Sequence, residues 1–176
     1  VTIELKVTNE EVATIPTGEI MLVLDNSNSM TTELGETTRK EIIFESAKTL
    51  VNKLLENNSQ LKIGIVSFST NTEQSKEGTI EDATLETALT SDKTTLTTAI
   101  SNIETNGART NLQSGLLLAS QQFSNEAANK YMIILTDGVP NVAINYDNIY
   151  YSDDVINKTK QQLLDRLYIN DCPRDF

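Results

Sequence analysis

The chain has 176 residues, of which 38% are hydrophobic, and its formal net charge is −11 at pH 7. A chain of this length forms one domain with a real core, and its acidic charge argues against nucleic-acid binding, which requires basic surfaces. It has no histidine, which excludes a Ser-His-Asp triad and histidine-based zinc sites, and no apolar run reaches the ~18 residues of a membrane span, so we expect no membrane insertion by this segment.

The N-terminal residues differ in pattern from the rest of the chain. Residues 1–7 alternate between apolar and polar side chains, which predicts a strand with one polar face. Polar residues with Pro16 and Gly18 follow and are typical of a linker. We therefore predict that 1–18 are a lead-in strand and linker from a preceding region, and that 19–176 are the domain itself.

Apolar runs and helical periodicities alternate through the rest of the chain. The predicted strands are 19–24, 61–69, 83–90 (a short edge strand) and 130–136. The predicted helices begin at a capping box of Thr38 and Glu41, at Ser91 or Asp92, after the loop that contains Thr110, and at Val155. Their inward positions are Ile43, Ala47, Leu50, Val51, Leu54 and Leu55, then Leu96, Ile100 and Ile103, then Leu112, Leu116, Ala119 and Phe123, and finally Ile156, Leu163, Leu164 and Leu167.

This alternation indicates the fold class. Apolar strands separated by helices predict an α/β fold with a doubly wound, mostly parallel sheet that is covered by helices on both faces. Sheets of this kind bind ligands outside the carboxyl ends of their strands, at the point where the strand order reverses. Functional residues are therefore expected where strands end.

Oxygen-bearing side chains follow two of the predicted strands. Asp25, Ser27 and Ser29 come directly after the first core strand, and Asp137 comes directly after the last one. An Asp-x-Ser-x-Ser loop at the end of a buried strand offers the all-oxygen ligands that Mg²⁺ prefers. The same residue types also favour an ordinary Asx/Ser turn, so the loop alone leaves both interpretations open.

A third segment completes an ordered set of motifs. Thr110 lies in the loop 107–111, between the Asp-x-Ser-x-Ser loop and the Asp-Gly that ends the last strand. This set resembles the metal-ion-dependent adhesion site of the von Willebrand factor A (integrin I-like) family, whose fold is Rossmann-like. The resemblance runs from about Glu19 to Tyr168. One departure is Asn28, where many relatives carry Gly, but this position supplies no expected ligand.

The resemblance implies a metal site of five residues. Its members would be Asp25, Ser27, Ser29, Thr110 and Asp137. In such a site the three hydroxyls coordinate the ion directly, and the two carboxylates act mainly through bound waters. One coordination position then stays open. Because few direct ligands are anionic, the ion keeps positive charge, which attracts an acidic group of a protein partner to that position. Mg²⁺ is the expected ion, with Mn²⁺ or Ca²⁺ as substitutes.

The resemblance also implies a function. We expect a metal-dependent adhesion module on the outside of a bacterium, in a surface or cell-wall protein such as a Gram-positive pilus adhesin, with extracellular matrix or a cell as its target. The alternative is an intracellular module that works with an AAA-type ATPase, as in metal chelatases. The single cysteine, Cys172, fits either compartment. An enzyme is not expected, because metal-assisted hydrolysis needs a base at the metal and no histidine is available.

Neighbours of the predicted site have roles of their own. Arg109 would pair with an incoming acid or remain a solvated loop arginine, and Asn111 is expected to cap the following helix. The Tyr- and Asn-rich segment 145–151 would overlook the site or form an ordinary surface loop. The polar stretch 31–36 is expected to border the site.

The end of the chain departs from the family pattern. The family continues with two further strand–helix units, and nothing after Tyr168 supplies them, because 169–176 is short, polar and interrupted by Pro173. The sequence therefore predicts a truncated domain whose last strands are absent. Its exposed sheet edge would favour dimerisation, a companion fragment or aggregation.

Overall fold

The computed structural model describes residues 17–70, 79–105, 107–125, 129–144 and 159–160. In chain order its strands are β1 (Gly18–Asp25), β2 (Glu33–Leu34), β3 (Thr37–Thr38), β4 (Lys62–Phe68), β5 (Ala83–Thr90) and β6 (Asn129–Leu135). The α-helices are α1 (Arg39–Asn57), α2 (Lys93–Asn102) and α3 (Leu112–Gln122), and short 3₁₀ helices span Asn28–Thr31 and Ile80–Asp82. The core strands expected at 19–24, 61–69, 83–90 and 130–136 are confirmed, with small shifts at their ends.

The main sheet has the strand order β5-β4-β1-β6. β1 runs parallel to β4 on one side and to β6 on the other, so that Leu22 lies opposite both Ile65 and Ile133. β5 pairs with β4 in the antiparallel sense at the edge. The sheet is therefore mostly parallel, as predicted. The chain first builds outward from β1 on one side and later returns to its other side, which places the reversal of strand order between β1 and β6.

Helices cover both faces of this sheet. The side chains of Ile20, Leu22 and Leu24 pack in one core cluster with residues of α1 and α2. Those of Met21 and Val23 pack in a second cluster, on the side of α3. A strand that is buried on both faces needs apolar residues throughout, which explains the continuous apolar run in β1. The predicted doubly wound α/β class is confirmed.

Local signals determine where the helices begin. Thr38 Oγ1 accepts a hydrogen bond from Glu41 N (3.2 Å) and Glu41 Oε2 accepts one from Thr38 N (2.9 Å), which is the predicted capping box of α1. Of the two candidate caps for α2, Asp92 occupies the position and its Oδ1 accepts a hydrogen bond from Thr94 N (2.9 Å). Asn111 caps α3, as expected.

The buried face of α3 differs from the predicted apolar stripe. Ala119 is buried as expected, but Leu116 is only half-buried, and the buried positions include Gln113 and Gly115. A Cβ added to Gly115 would lie 3.0 Å from side-chain atoms of Phe68. The helix thus approaches the sheet too closely for a large side chain, and small or hydrogen-bonded polar residues line the contact instead.

Other predictions concern residues outside the described ranges. They are the lead-in strand at 1–7, the loop at 145–151 and the absence of further strands after Tyr168. All three stay predictions. Of the helix predicted over 155–168, residues 159–160 are described, and they are helical. No helix in the described part of the chain is long and apolar enough to cross a membrane.

Candidate functional site

The carboxyl ends of β1 and β6 lie side by side in the sheet. Leu24 pairs with Leu135, so the residues that follow these two strands emerge at the same point of the edge. Asp25 is the last residue of β1, and Asp137 follows the end of β6 after a single intervening residue. The topology therefore brings together two carboxylates that are far apart in the sequence.

Asp25 organises the loop that follows β1. Its side chain is fully buried, and Oδ1 accepts a hydrogen bond from Ser27 N (2.8 Å), whereas Oδ2 accepts one from Thr136 Oγ1 (2.6 Å). The 3₁₀ helix of this loop buries Met30 in the core. Asp25 thus fixes the turn of its own loop and joins that loop to the end of β6.

Three hydroxyl oxygens form a row at this edge. Ser27 Oγ lies 3.0 Å from Ser29 Oγ and accepts a hydrogen bond of 3.2 Å from Thr110 Oγ1. Ser27 and Thr110 are buried, with 1% and 4% of their surface exposed, whereas Ser29 is exposed. The row is therefore open to solvent at its Ser29 end.

Backbone contacts hold the Thr110 loop against the loop that follows β1. Gly107 forms an isolated parallel bridge with Ser27, and its carbonyl oxygen accepts a hydrogen bond from Asn28 N (2.7 Å). On the other side, Asn141 Oδ1 accepts a hydrogen bond from Thr110 N (3.0 Å), and Asn141 N donates one to Thr110 O (3.1 Å). These contacts clamp the Thr110 loop from two sides and keep its hydroxyl beside Ser27.

Asp137 accepts hydrogen bonds on both carboxylate oxygens. Ser29 Oγ donates to Oδ1 (2.8 Å), and Arg39 Nη1 forms an ion pair with Oδ2 at 2.7 Å. The Asp137 side chain is 4% exposed and that of Arg39 is 35% exposed. Ser29 therefore connects Asp137 to the loop that follows β1, and Arg39 connects it to the start of α1.

All five predicted site residues lie in one hydrogen-bonded network. It consists of Asp25, Ser27, Ser29, Thr110 and Asp137. Four residues that the sequence did not assign to the site support it: Arg39, Gly107, Thr136 and Asn141. There was a reason in the sequence to consider Thr136 and Asn141 as site residues, because both belong to the segment around Asp137 at the end of a strand. Gly107 begins the loop 107–111, which the sequence places in the site motif, whereas nothing in the sequence pointed to Arg39.

Other predicted neighbours take structural positions. Arg109 is half-buried, and its backbone N donates a hydrogen bond to Thr70 Oγ1 (3.1 Å). Besides capping α3, Asn111 donates from Nδ2 to the buried carboxylate of Asp82 (2.8 Å). The stretch 31–36 continues directly from the Ser29 loop and contains the exposed strand β2.

The spacing of these oxygens suits a small, hard cation. In an octahedral Mg²⁺ site with Mg–O distances of about 2.0–2.1 Å, neighbouring ligand oxygens lie about 2.9 Å apart. The oxygen pairs Ser27–Ser29, Ser27–Thr110 and Ser29–Asp137 are separated by 3.0, 3.2 and 2.8 Å. These are also hydrogen-bond distances, so the same side chains satisfy one another without an ion. Within the described residues, no group of three or more His, Cys, Asp or Glu side chains could hold an ion, so a bound ion here would depend on hydroxyls.

Fold and cluster together define a class: an α/β domain with a hydroxyl-rich cluster where its strand order reverses. The family model of the von Willebrand factor type A domain matches residues 20–139, a range that includes all five residues of the cluster. The chain belongs to the von Willebrand factor type A domain family. The predicted family is thus confirmed, and domains of this family are general protein-interaction modules.

Solved structures of low sequence identity share the fold. The SpRpn10 VWA domain is 16% identical with a TM-score of 0.57, and the match covers 70% of this chain and 61% of that one. The pilus adhesin SpaC from Lactobacillus rhamnosus GG is 23% identical with a TM-score of 0.59, over 73% of this chain and 16% of that one. The PilB minor pilin from Streptococcus sanguinis is 22% identical with a TM-score of 0.60, over 74% and 32%. This chain therefore spans less than two thirds of each relative. No curated protein sequence matches it.

Proposed function

We propose that this domain binds one divalent cation, Mg²⁺ in the first instance, and uses it to hold an acidic side chain of a protein partner. The site would consist of five residues: the hydroxyls of Ser27, Ser29 and Thr110 would coordinate the ion directly, and the carboxylates of Asp25 and Asp137 would act mainly through bound waters. The observation that best supports this proposal is the convergence of three separate segments on oxygen atoms at ligand spacing. A strand end can be closed by one or two polar side chains, whereas a hard cation requires a set of oxygens such as this one.

The ligand set explains why the partner would be acidic. The hydroxyls carry no charge, and the oxygens of Asp25 and Asp137 already accept hydrogen bonds within the protein. An ion in these surroundings keeps uncompensated positive charge and supplies an electrophilic centre for an Asp or Glu of the partner. The exposed position of Ser29 leaves the cluster open on the side from which a partner would approach.

We further propose that the partner belongs to extracellular matrix or a cell surface, and that the domain is part of a bacterial surface protein. The shared fold with a pilus adhesin and a minor pilin supports this reading. The alternative of an intracellular module that works with an AAA-type ATPase gains no specific support from the described contacts. We propose binding rather than catalysis, because the chain has no histidine to serve as a base beside an ion.

Calorimetric titration of Mg²⁺ and Mn²⁺ into the wild type and Thr110→Val tests the ion site. The substitution removes a buried hydroxyl but preserves the shape of the side chain. We expect one ion per wild-type chain, and binding weakened about tenfold in the variant, which corresponds to ~1.4 kcal/mol. Thr97→Val is the matched control, because the Thr97 hydroxyl bonds only to carbonyl groups of its own helix. A wild type that binds no ion, or a folded Thr110→Val that binds it equally well, would contradict the proposal.

Adhesion measured with and without a chelator tests the role of the ion in partner binding. Binding of the domain to immobilised matrix proteins such as collagen or fibronectin should disappear in EDTA and return with Mg²⁺. The reason is that the open coordination position exists only when the ion is bound. Adhesion that persists in EDTA would place the partner surface elsewhere on the domain.

A further inference from the structure

Among the described residues, Asp137 is the cluster carboxylate that forms an ion pair. Arg39 Nη1 lies 2.7 Å from Asp137 Oδ2, which is the distance of a charge-assisted hydrogen bond. The other described ion pairs, Lys48–Glu45 and Lys93–Glu56, belong to helix surfaces. The protein thus supplies a cation of its own at the cluster proposed to take a divalent one.

Arg39 has a fixed backbone and a partly exposed side chain. It is the first residue of α1, whose start is set by the Thr38–Glu41 capping box. Its backbone N also donates a hydrogen bond to Thr32 O (3.1 Å), at the end of the loop that carries Ser29. The side chain is 35% exposed, so it borders solvent while its guanidinium group contacts Asp137.

A divalent ion beside Ser29 would have to share Asp137 with this arginine. Ser29 Oγ is 2.8 Å from Oδ1 of the carboxylate whose Oδ2 holds Arg39. Two cations on the two oxygens of one carboxylate repel each other. At such short range salt screens this repulsion little, and the buried carboxylate lies where solvent screening is also reduced.

We propose that Arg39 is an internal cation that competes with the divalent ion for Asp137. In the ion-free domain it neutralises Asp137, and its repulsion lowers the affinity of the cluster for Mg²⁺ or Mn²⁺. The inference rests on the proposed function, because it takes the cluster to be the ion site. By linkage, a partner group that draws Arg39 away from Asp137 raises the affinity for the ion.

Titration of Mn²⁺ into the wild type, Arg39→Gln and Lys48→Gln tests the inference. Arg39→Gln removes the competing charge and should bind Mn²⁺ about tenfold more tightly. Lys48→Gln is the matched control: it removes the same charge from α1 and breaks an ion pair of the same 2.7 Å length, about 13 Å further along the helix. Its affinity should stay within about twofold of the wild type. Arg39→Lys keeps the charge, so its affinity for Mn²⁺ should stay close to that of the wild type.

Thermal unfolding adds a measurement of stability without the ion and with it. In EDTA the loss of the ion pair should lower the Tm of Arg39→Gln by up to about 4 °C, and saturating Mn²⁺ should then raise its Tm more than that of the wild type. Equal or weaker Mn²⁺ binding by Arg39→Gln overturns the inference and leaves the proposed function standing. Absence of Mn²⁺ binding in the wild type overturns the proposed function, and the inference with it.

Discussion

A methyl group at position 107 would collide with the segment that follows β4. A Cβ built on Gly107 lies 2.1 Å from Ser69 Oγ, 2.2 Å from Ser69 Cβ and 2.8 Å from Thr70 O. Rotation of the serine side chain relieves the first contact but not the second, because Cβ is attached directly to the backbone. Ordinary van der Waals contact begins at 3.4 Å, so one of the two backbones must move by about 1 Å.

That movement would disturb the cluster without removing any ligand. Gly107 bridges Ser27, and its carbonyl oxygen holds Asn28 N at 2.7 Å, so it is the joint between the Thr110 loop and the loop that follows β1. Overpacking of this kind costs about 1–3 kcal/mol of unfolding free energy. Since the same movement separates the Thr110 and Ser27 hydroxyls, we also expect Gly107→Ala to bind Mg²⁺ about tenfold more weakly.

Urea unfolding measures the stability of Gly107→Ala, and calorimetry measures its affinity for Mg²⁺. Gly138→Ala is the matched control, because a Cβ at that position meets only Ser29 Oγ, at 3.9 Å. We expect its stability to stay within about 0.5 kcal/mol of the wild type. The steric reasoning would be refuted by a Gly107→Ala variant that is as stable as Gly138→Ala and binds Mg²⁺ with wild-type affinity.

Two further predictions concern carboxylates outside the cluster. Asp82 is 3% exposed and accepts hydrogen bonds from Asn111 Nδ2 (2.8 Å) and Thr79 N (2.7 Å). Urea unfolding of Asp82→Ala should therefore show a free energy of unfolding about 2–3 kcal/mol below that of the wild type. A loss below ~0.5 kcal/mol would contradict this. The hydrogen bond from Thr37 holds the pKa of Glu41 below its ordinary 4.5. The stabilisation by Glu41 is therefore present above pH 4.5, and it is lost as the pH falls through the lowered pKa of the folded state. Glu41→Gln should therefore show a smaller loss of unfolding free energy on acidification than the wild type, and an unchanged pH dependence would disprove the assignment.

Helix starts and strand positions were predictable because their signals are local. Thr38 and Glu41 are three residues apart, and the side chain of each accepts a hydrogen bond from the backbone N–H of the other. These two hydrogen bonds do not depend on the rest of the fold. Asn111 caps α3 for the same kind of reason. The apolar run of β1 likewise reports burial on both sides of a single strand.

The inward faces of the helices were predicted less well, because they depend on how closely each helix approaches the sheet. In α1 the apolar pattern selected Ile43, which is half-buried, whereas the neighbouring Phe44 is 4% exposed. In α3 the contact of Gly115 with Phe68 decides which residues are buried. Neither distance is encoded in the periodicity of one helix.

The five cluster residues were predictable because the ordered motifs and the rule about strand ends point to the same edge of the sheet. The contacts that Arg39 and Gly107 make around them were not predictable. The Arg39–Asp137 pair joins the start of α1 to the end of β6, and it requires the path that the chain takes through β2 and β3. The close approach of Gly107 to Ser69 depends on how two loops pack, which no sequence spacing reveals.

The charges suggest an order of binding events under our proposals. Asp25 and Asp137 contribute two negative charges and Arg39 one positive charge, so these three groups carry a net charge of minus one. The whole chain carries −11, which attracts a cation at long range and repels an acidic partner. A divalent ion turns the charge of the group to plus one, and the carboxylate of a partner then brings it to zero. Electrostatics therefore favours the ion first and the partner second. Arg39 adjusts the first step, because it reduces the attraction of the cluster for the ion while adding to its attraction for the acid.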